Sequence, residues 1–210
     1  MPAETAAEPR RRSPEDALVV VLSGPSGVGK DAVIARLQER GFPIGMPATM
    51  TTRPPREGEE DGVNHLFVDE ARFERAIAER ELLEHALVYG NRYGVPRAQV
   101  REHLDAGADV IIRVDIQGAE SLRTELPGAL FLFLVPDDES HLEARLRDRG
   151  TESEAQIALR LAEARSETAR AGGFATIVEN VAGNLDATVD RIVELMANER
   201  ARADRQPVVV

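Results

Sequence analysis

Seven residues near the start of the chain have the types and spacing of a phosphate-binding loop. They read GPSGVGK and comprise Gly24, Pro25, Ser26, Gly27, Val28, Gly29 and Lys30. The glycines let the backbone turn so that several N–H groups can point at one anion. A helix that starts directly after the loop would add the positive end of its dipole. Lys30 supplies a compact, flexible charge that can follow a phosphoryl group during its transfer.

Lys30 is the only lysine of the chain, because all the other residues among the 26 Lys and Arg are arginines. A planar guanidinium prefers a fixed fork geometry, so Arg would be a poor substitute inside such a loop. The alternative is a solvated lysine after an ordinary glycine-rich turn. The use of lysine at this one position favours the phosphate loop.

The residue after Lys30 departs from the usual motif. A Ser or Thr normally stands there and its hydroxyl binds Mg²⁺, whereas this chain has Asp31. A carboxylate is a hard, strong magnesium ligand, so we expect Asp31 to keep the metal role, directly or through water. The alternative is an acidic residue that is merely favoured by the helix dipole.

The segments around the loop alternate between two patterns. Apolar runs that predict buried strands lie at 17–24, 108–118, 129–136 and 174–180. Segments with helical spacing of apolar residues lie at 31–41, 139–150, 154–170 and 185–203. Strands alternating with helices predict an α/β fold with a doubly wound parallel sheet, covered on both faces. The stretch 47–97 is dense in Thr, Pro, Gly and Arg and predicts an inserted subdomain.

Composition restricts the classes of function. The net charge of -11 argues against the broad basic face that binds nucleic acids, although a small anion can still bind a locally basic cleft. The chain has no cysteine, which excludes disulfides and thiolate metal sites and fits a cytoplasmic protein. No apolar run approaches the roughly 20 residues of a membrane span. Residues 1–14 carry no secretory signal, so we expect a disordered tail there and a second tail at 206–210.

Five motifs, in this order along the chain, resemble the guanylate kinase family. They are SGPSGVGK at 23–30, TTRPPREGE at 51–59, ELLEHALVYGNRYG at 81–94, VDIQGAESLR at 114–123 and RLRDRGTESE at 145–154. The resemblance covers residues 18–196 and implies a P-loop NTPase core, a GMP-binding insert and a helical lid. It implies transfer of the γ-phosphoryl group of ATP to GMP with Mg²⁺, and its partners would be these small-molecule nucleotides. Oligomeric state is left open.

The resemblance also implies boundaries within one domain of residues 15–205. The core would comprise 15–46, 98–138 and 171–205, the insert 47–97 and the lid 139–170.

The predicted GMP site draws on several short stretches. Arg53 and Arg56 lie three residues apart in a Pro-rich loop, where two guanidiniums can grip one phosphate, unless the loop is simply solvated. Glu84 lies in an apolar run, and its carboxylate can accept two hydrogen bonds from the N1–H and amino group of guanine. Asp115 directly follows a strand, at the edge where open α/β sheets bind ligands. The resemblance implies that Asp115 contacts guanine or the magnesium waters. The alternative is that it only caps a helix or turn. The resemblance adds Thr49, Glu59, His65 and Tyr93 to the GMP site.

The predicted ATP site adds arginines from the lid. Arg145 and Arg149 are four residues apart and share a helix face, and Arg160 follows in the next helix. The resemblance implies that Arg145 stacks on adenine while Lys30, Arg149 and Arg160 act on the phosphates in the transition state. Solvated helix charge is the alternative. By the same resemblance, Asn180 reaches the adenine edge.

Three residues depart from the family pattern. His65 stands in place of a tyrosine, Val95 in place of a Ser or Thr hydroxyl, and Arg113 in place of an acidic residue two positions before Asp115. An imidazole can still donate a hydrogen bond to a phosphate, whereas Val95 cannot replace a hydroxyl.

Two rival functions share parts of this pattern. Asp31 and the pair Asn64–His65 also resemble ribose 1,5-bisphosphate phosphokinase, which phosphorylates a sugar phosphate. Guanylate-kinase-like domains of scaffold proteins bind phosphopeptides and do no catalysis. Glu84 argues against the first, because a sugar phosphate has no guanine to contact. The intact phosphate loop with Lys30 argues against the second.

Overall fold

The structure, a computed structural model, describes residues 13–56, 58–63, 65–88, 90–148 and 153–210. Most of the predicted N-terminal tail, residues 1–12, lies outside these ranges. The strands are β1 Val19–Ser23, β2 Ile44–Gly45, β3 Thr49–Thr51, β4 His65–Phe67, β5 Leu82–Val88, β6 Asn91–Pro96, β7 Asp109–Arg113, β8 Leu130–Pro136 and β9 Thr176–Asn180. The helices are α1 Lys30–Glu39, α2 Glu70–Ala78, α3 Arg97–Asp105, α4 Ile116–Glu125, α5 Glu139–Asp148, α6 Glu154–Ala171 and α7 Leu185–Ala201.

A parallel sheet with the strand order β2-β7-β1-β8-β9 forms the centre of the molecule. Strand β1 is buried along its whole length, because its side chains alternate between two apolar cores. Val20 and Leu22 face the core formed with α1 and α7. Val19 and Val21 face the core formed with α3 and α4. The predicted doubly wound parallel sheet is confirmed.

A second, four-stranded sheet has the order β4-β3-β6-β5 and lies entirely within residues 47–97. Its own small core contains Met50, Phe73, Ala76 and Leu82. Helix α2 supplies two of these residues and is capped by Asp69, whose side chain accepts a hydrogen bond from the Arg72 backbone N–H.

Helices α5 and α6 pack against each other through Leu142, Leu146 and Ile157. Ser153 and Gln156 form a capping box that starts α6. None of the helices in the part of the chain that the structure describes is long and apolar enough to cross a membrane.

The strand predicted over 108–118 is wrong in its second half. Strand β7 ends at Arg113, and helix α4 already begins at Ile116. The reason is Asp115, whose Oδ1 accepts a hydrogen bond from the Gly118 N–H at 2.8 Å and caps the new helix. The apolar run thus contains a strand, a turn and the start of a helix.

The segment predicted as a tail, 206–210, has no regular secondary structure and lies against the core. Val208 and Val210 pack on the apolar core below α3 and α4, and Arg101 of α3 donates hydrogen bonds to the Val210 carbonyl oxygen. At the other end, Pro14–Asp16 forms a short 3-10 turn, so regular structure starts one residue inside the predicted N-terminal tail.

Helix α3 was not predicted from the sequence.

An ion pair between a half-buried arginine and a buried carboxylate fastens the last helix to the central sheet. The Asp109 side chain is only 4% exposed; its Oδ1 accepts from the Leu18 N–H at 2.9 Å, and Arg200 Nη2 lies 2.8 and 2.7 Å from its two oxygens. Removing one partner of a buried pair costs more than the pair contributes, because the other charge stays buried.

Arg200→Ala should therefore lower the free energy of unfolding by about 2–3 kcal/mol, measured by urea denaturation. Arg191→Ala, which removes an exposed pair with Glu194, is the matched control and should stay within about 0.5 kcal/mol of wild type. Equal denaturation midpoints for both variants would show that the Asp109 contact adds nothing to stability.

Candidate functional site

The phosphate loop connects the carboxyl end of β1 to the first turn of α1. Its glycines are required by space and by backbone conformation. Gly24 has φ +147, and a Cβ there would lie 2.6 Å from the Leu134 carbonyl oxygen. Gly29 has φ +106, and a Cβ there would lie 2.5 Å from Asn180 Nδ2. Any side chain at either position would strain the loop. The loop leads directly into the amino end of α1, where the first backbone N–H groups have no partner within the helix.

The Lys30 ammonium lies within the curve of this loop. Its Nζ donates to the Gly24 carbonyl oxygen at 2.5 Å and to the Pro25 carbonyl oxygen at 3.3 Å. The side chain therefore folds back over the loop and presents its charge beside the N-terminus of α1, a position suited to anion binding.

Two distant side chains fasten the loop to the rest of the protein. The Val28 carbonyl oxygen accepts hydrogen bonds from Arg145 Nη1 at 2.8 Å and from Asn180 Nδ2 at 2.6 Å. The Asn180 side chain also accepts from the Thr188 hydroxyl at 3.1 Å, and the residue is 4% exposed. Both residues thus lie at the predicted donor site, where they brace the loop. Their contacts with adenine stay predictions.

A second cluster forms around Arg53 in the four-stranded sheet. Both Nη atoms of Arg53 lie 2.9 Å from Glu59 carboxylate oxygens, and its Nε donates to the Tyr93 hydroxyl at 3.2 Å. The Arg56 N–H donates to the same carboxylate at 2.7 Å, while the Arg56 side chain is exposed. The Arg53 guanidinium and this backbone bond hold the pKa of Glu59 down to about 2. Glu59 therefore organises the loop that carries both predicted phosphate ligands.

A cavity of about 200 Å³ lies between residues of the four-stranded sheet and the carboxyl end of β7. Its lining includes Thr49, His65, Val95 and Arg113. His65 Nδ1 lies 3.2 Å from the Thr49 carbonyl oxygen, which holds the ring at the cavity wall. The structure thus brings together the predicted residues Thr49 and His65 with Val95 and Arg113, so all three departures from the family pattern line this cavity.

Glu84 on β5 is a buried carboxyl group, 8% exposed. Burial, and then the charge of Asp115, raise its pKa to about 7. Its Oε1 would lie 3.0 Å from a Cβ at position 118, so Gly118 is what lets the start of α4 approach this carboxyl group. Asp115 itself caps α4, as the alternative interpretation of that residue stated.

Asp31 and Arg113 form an ion pair between Oδ1 of the carboxylate and Nη1 of the guanidinium. The Asp31 side chain is 79% exposed and has a second carboxylate oxygen. Across the described ranges, no group of three or more His, Asp or Glu side chains could hold a metal by itself. Asp31 fits Mg²⁺ in the manner usual for nucleotide enzymes, where one or two carboxylates and the substrate phosphates share the ion.

Helix α6 turns one face toward Lys30. Arg160 is half-buried, and Glu167 lies two helical turns later on the same face. Burial raises the pKa of Glu167, and the charge of Lys30 opposes this shift, so the two side chains lie within electrostatic range of each other. Sequence reasoning missed Glu167, although its seven-residue spacing from Arg160 was the available signal. The predicted residues Arg149 and Asn64 lie outside the described residues.

The raised pKa of Glu84 predicts a pH-dependent stability. Between its usual value of 4.5 and about 7, the folded protein keeps a proton that the unfolded chain has released. The contribution of Glu84 to stability should therefore fall as the pH rises through this window, by up to about 3 kcal/mol. Urea denaturation between pH 5 and pH 8 should show the fall in wild type and a flatter profile in Glu84→Gln.

The exposed Glu74, which pairs with Arg92, provides the control substitution. Glu74→Gln should keep the wild-type slope. A Glu84→Gln profile parallel to wild type would mean that the Glu84 carboxyl group titrates alike in the folded and unfolded chain.

Comparison with known proteins agrees with this geometry. A family model described as guanylate kinase matches residues 16–199. The chain is 42% identical over 200 residues to a guanylate kinase of Thermobifida fusca, covering 94% of this chain and 97% of that protein. It is 39% identical over 191 residues to a guanylate kinase of Halalkalibacterium halodurans, covering 91% of this chain and 93% of that protein.

A solved structure gives the same result in three dimensions. The crystal structure of guanylate kinase from Anaplasma phagocytophilum superposes with a TM-score of 0.69 at 29% sequence identity. The superposition covers 90% of this chain and 89% of that one. The similarity therefore includes both sheets and is not limited to the phosphate loop.

Proposed function

The chain belongs to the guanylate kinase family, and from this premise we propose how its residues divide the reaction between a donor side and an acceptor side. It is an enzyme that transfers the γ-phosphoryl group of ATP to GMP and gives ADP and GDP. The observation that carries this function is the position of Glu84, a buried carboxyl group facing the start of α4 and influenced by the charge of Asp115. Guanine offers such a group two hydrogen-bond donors, whereas a sugar phosphate offers no base.

The proposed donor side is the phosphate loop with helices α5 and α6. Lys30 binds the transferring phosphoryl group, and the loop from Gly24 to Gly29 receives the other ATP phosphates on its N–H groups. Arg145 already lies over the loop through its bond to Val28, which supports its place beside the adenine. Arg160 lies on the face of α6 that is turned to Lys30, and we assign it, with Arg149, to the charge that develops in transfer.

The proposed acceptor side is the four-stranded sheet. Arg53 and the Tyr93 hydroxyl meet the GMP phosphate together, because Glu59 holds the guanidinium plane in place beside that hydroxyl. Arg56 is exposed on the same loop and closes on the phosphate from outside. Thr49 and His65 line the cavity between the sheets, where they contact the nucleotide.

Transfer needs little covalent chemistry from the protein. An oxygen of the GMP phosphate attacks the γ-phosphorus in line, and the bond from phosphorus to the oxygen that stays with ADP breaks. The attacking oxygen is already anionic, so no side chain has to remove a proton. The protein aligns the two phosphates and places cations, above all Lys30, where charge spreads.

Asp31 is the proposed protein ligand of Mg²⁺, and Asp115 lies close enough to Glu84 to serve the guanine or the magnesium waters. Bound Mg²⁺ neutralises charge on the ATP phosphates. The chain's own part is to hold one carboxylate at the start of α1, next to the loop that binds those phosphates.

We also propose the division of the chain into a core of 15–46, 98–138 and 171–205, an insert of 47–97 and a lid of 139–170. The separate small cores of the four-stranded sheet and of the α5–α6 pair support it. A cytoplasmic location is proposed from the cysteine-free composition.

Lys30→Arg tests the donor side. The bulkier planar head would crowd a loop built from glycines and could not follow the phosphoryl group, so turnover of GMP with ATP should fall on the order of 10²–10³-fold. The melting temperature should not change, because the side chain lies on the loop and not in either core. The matched control is Arg191→Lys on the exposed face of α7, which should turn over GMP like wild type. Near-wild-type turnover in Lys30→Arg would remove Lys30 from the transfer step.

Glu84→Gln tests the acceptor side and the choice of substrate. The substitution replaces an acceptor oxygen with a donor that faces guanine's own donors, which should cost about 1.5–3 kcal/mol, or roughly 10–150-fold in kcat/KM for GMP. The assay measures ADP release with ATP and Mg²⁺ for GMP, AMP and ribose 1,5-bisphosphate. Wild type should use GMP best, and Glu74→Gln should match wild type. A preference of wild type for the sugar phosphate would overturn the proposed acceptor.

A further inference from the structure

Asp31 and Arg113 both depart from the pattern that surrounds them, and the fold brings them into contact. They lie 82 positions apart in sequence and pair between the end of β7 and the first turn of α1. We propose that Arg113 has two alternative anionic partners, the Asp31 carboxylate and the acceptor phosphate, and that the exchange between them couples binding of the two substrates. The inference rests on the proposed function, because it takes GMP as the acceptor.

The backbone places Arg113 at the boundary between the two sites. Arg113 ends β7 and pairs in register with Leu22 of β1, two residues before Gly24 starts the phosphate loop. Asp31 stands in the first turn of α1, directly after Lys30. The ion pair therefore runs from the end of β7 to the amino end of α1, alongside the residues that receive ATP.

Arg113 also belongs to the wall of the acceptor cavity. The cavity of about 200 Å³ is lined by Arg113 together with Thr49, His65 and Val95. Val95 offers no hydroxyl to a nucleotide at this wall, so a guanidinium is the strongest donor that the wall can present to a phosphate. The Arg113 side chain is 40% exposed, which leaves it room to change partners.

Asp31 cannot serve a divalent ion and Arg113 equally well. The carboxylate carries one negative charge, and one of its two oxygens already accepts from the guanidinium. A divalent ion at this carboxylate would stand within a few ångströms of the guanidinium and repel it. Arg113 also lines the acceptor cavity, and a dianionic phosphate there would attract its guanidinium more strongly than a shared carboxylate does.

This arrangement makes the affinities of the two substrates depend on each other. Donor binding at Asp31 releases Arg113 toward the acceptor, so the acceptor binds more tightly. By thermodynamic linkage, the acceptor tightens donor binding by the same factor. Asp31 is then a positioning residue for Arg113 in the protein before substrates bind.

Isothermal titration of GMP with and without saturating Mg²⁺ and the β,γ-imido analogue of ATP measures this coupling without turnover. Wild type should bind GMP at least about 5-fold more tightly with the analogue, as expected for a typical coupling between sites. In Arg113→Gln the tightening should fall below about 2-fold, because the mobile charge is gone. Arg113→Lys keeps a charge and should keep part of the effect. Arg191→Gln, an exposed arginine of α7, is the control and should behave like wild type.

Asp31→Asn should change GMP binding in the opposite direction and raise the affinity measured without the analogue. A merely structural role of Asp31 would not produce this increase. Its Arg113 is released from the start, so GMP should bind without the analogue about as tightly as wild type binds it with the analogue. The Asp31 side chain is 79% exposed, so this substitution should leave the melting temperature unchanged. GMP tightening in Arg113→Gln equal to that in wild type would overturn the inference and leave GMP binding itself intact. A wild type that binds no GMP would instead overturn the proposed acceptor, and the inference with it.

Discussion

The carbonyl oxygen of Val28 is the point on which the proposed donor site depends. It accepts hydrogen bonds from Arg145 of α5 and from Asn180 at the end of β9, so one backbone oxygen joins the phosphate loop to helix α5 and to the edge of the central sheet. Asn180 can donate only because Gly29 has no side chain in its path. The amide must also keep its orientation, which the Thr188 hydroxyl fixes. A loop held in this way has its N–H groups oriented before a phosphate arrives, which is what electrostatic preorganisation requires.

A second constraint is that two arginines of the cleft pair with carboxylates of the chain itself. Glu59 pairs with Arg53, and Asp31 pairs with Arg113. On a protein of net charge -11, this arrangement keeps positive charge in the cleft and gives both arginines a partner of the same sign as a phosphate. Substrate binding can then proceed by exchange of one anion for another. Glu84 differs, because it has a raised pKa and suits a ligand that brings hydrogen-bond donors.

The sequence predicts the parallel sheet and the loop well because both depend on local patterns. Apolar runs such as that of β1 and the spacing of Gly24 and Lys30 are visible within a few residues. The prediction over 108–118 fails at Asp115, since a single capping hydrogen bond starts a helix inside an apolar run. The pairing of Asp31 with Arg113 depends on the register of β7 against β1, which no local pattern contains. The roles predicted for individual nucleotide contacts rest on the resemblance and stay predictions.

The charges of Asp31 and Arg113 make sense only together. Arg113 ends β7, and burial lowers the pKa of its guanidinium. The Asp31 carboxylate pairs with this guanidinium and also lies at the amino end of α1, where the helix dipole favours an acid. A serine at position 31 would leave Arg113 without that carboxylate. Asp31 and Arg113 are therefore best understood as one feature, an ion pair that joins the amino end of α1 to the carboxyl end of β7 beside the cavity.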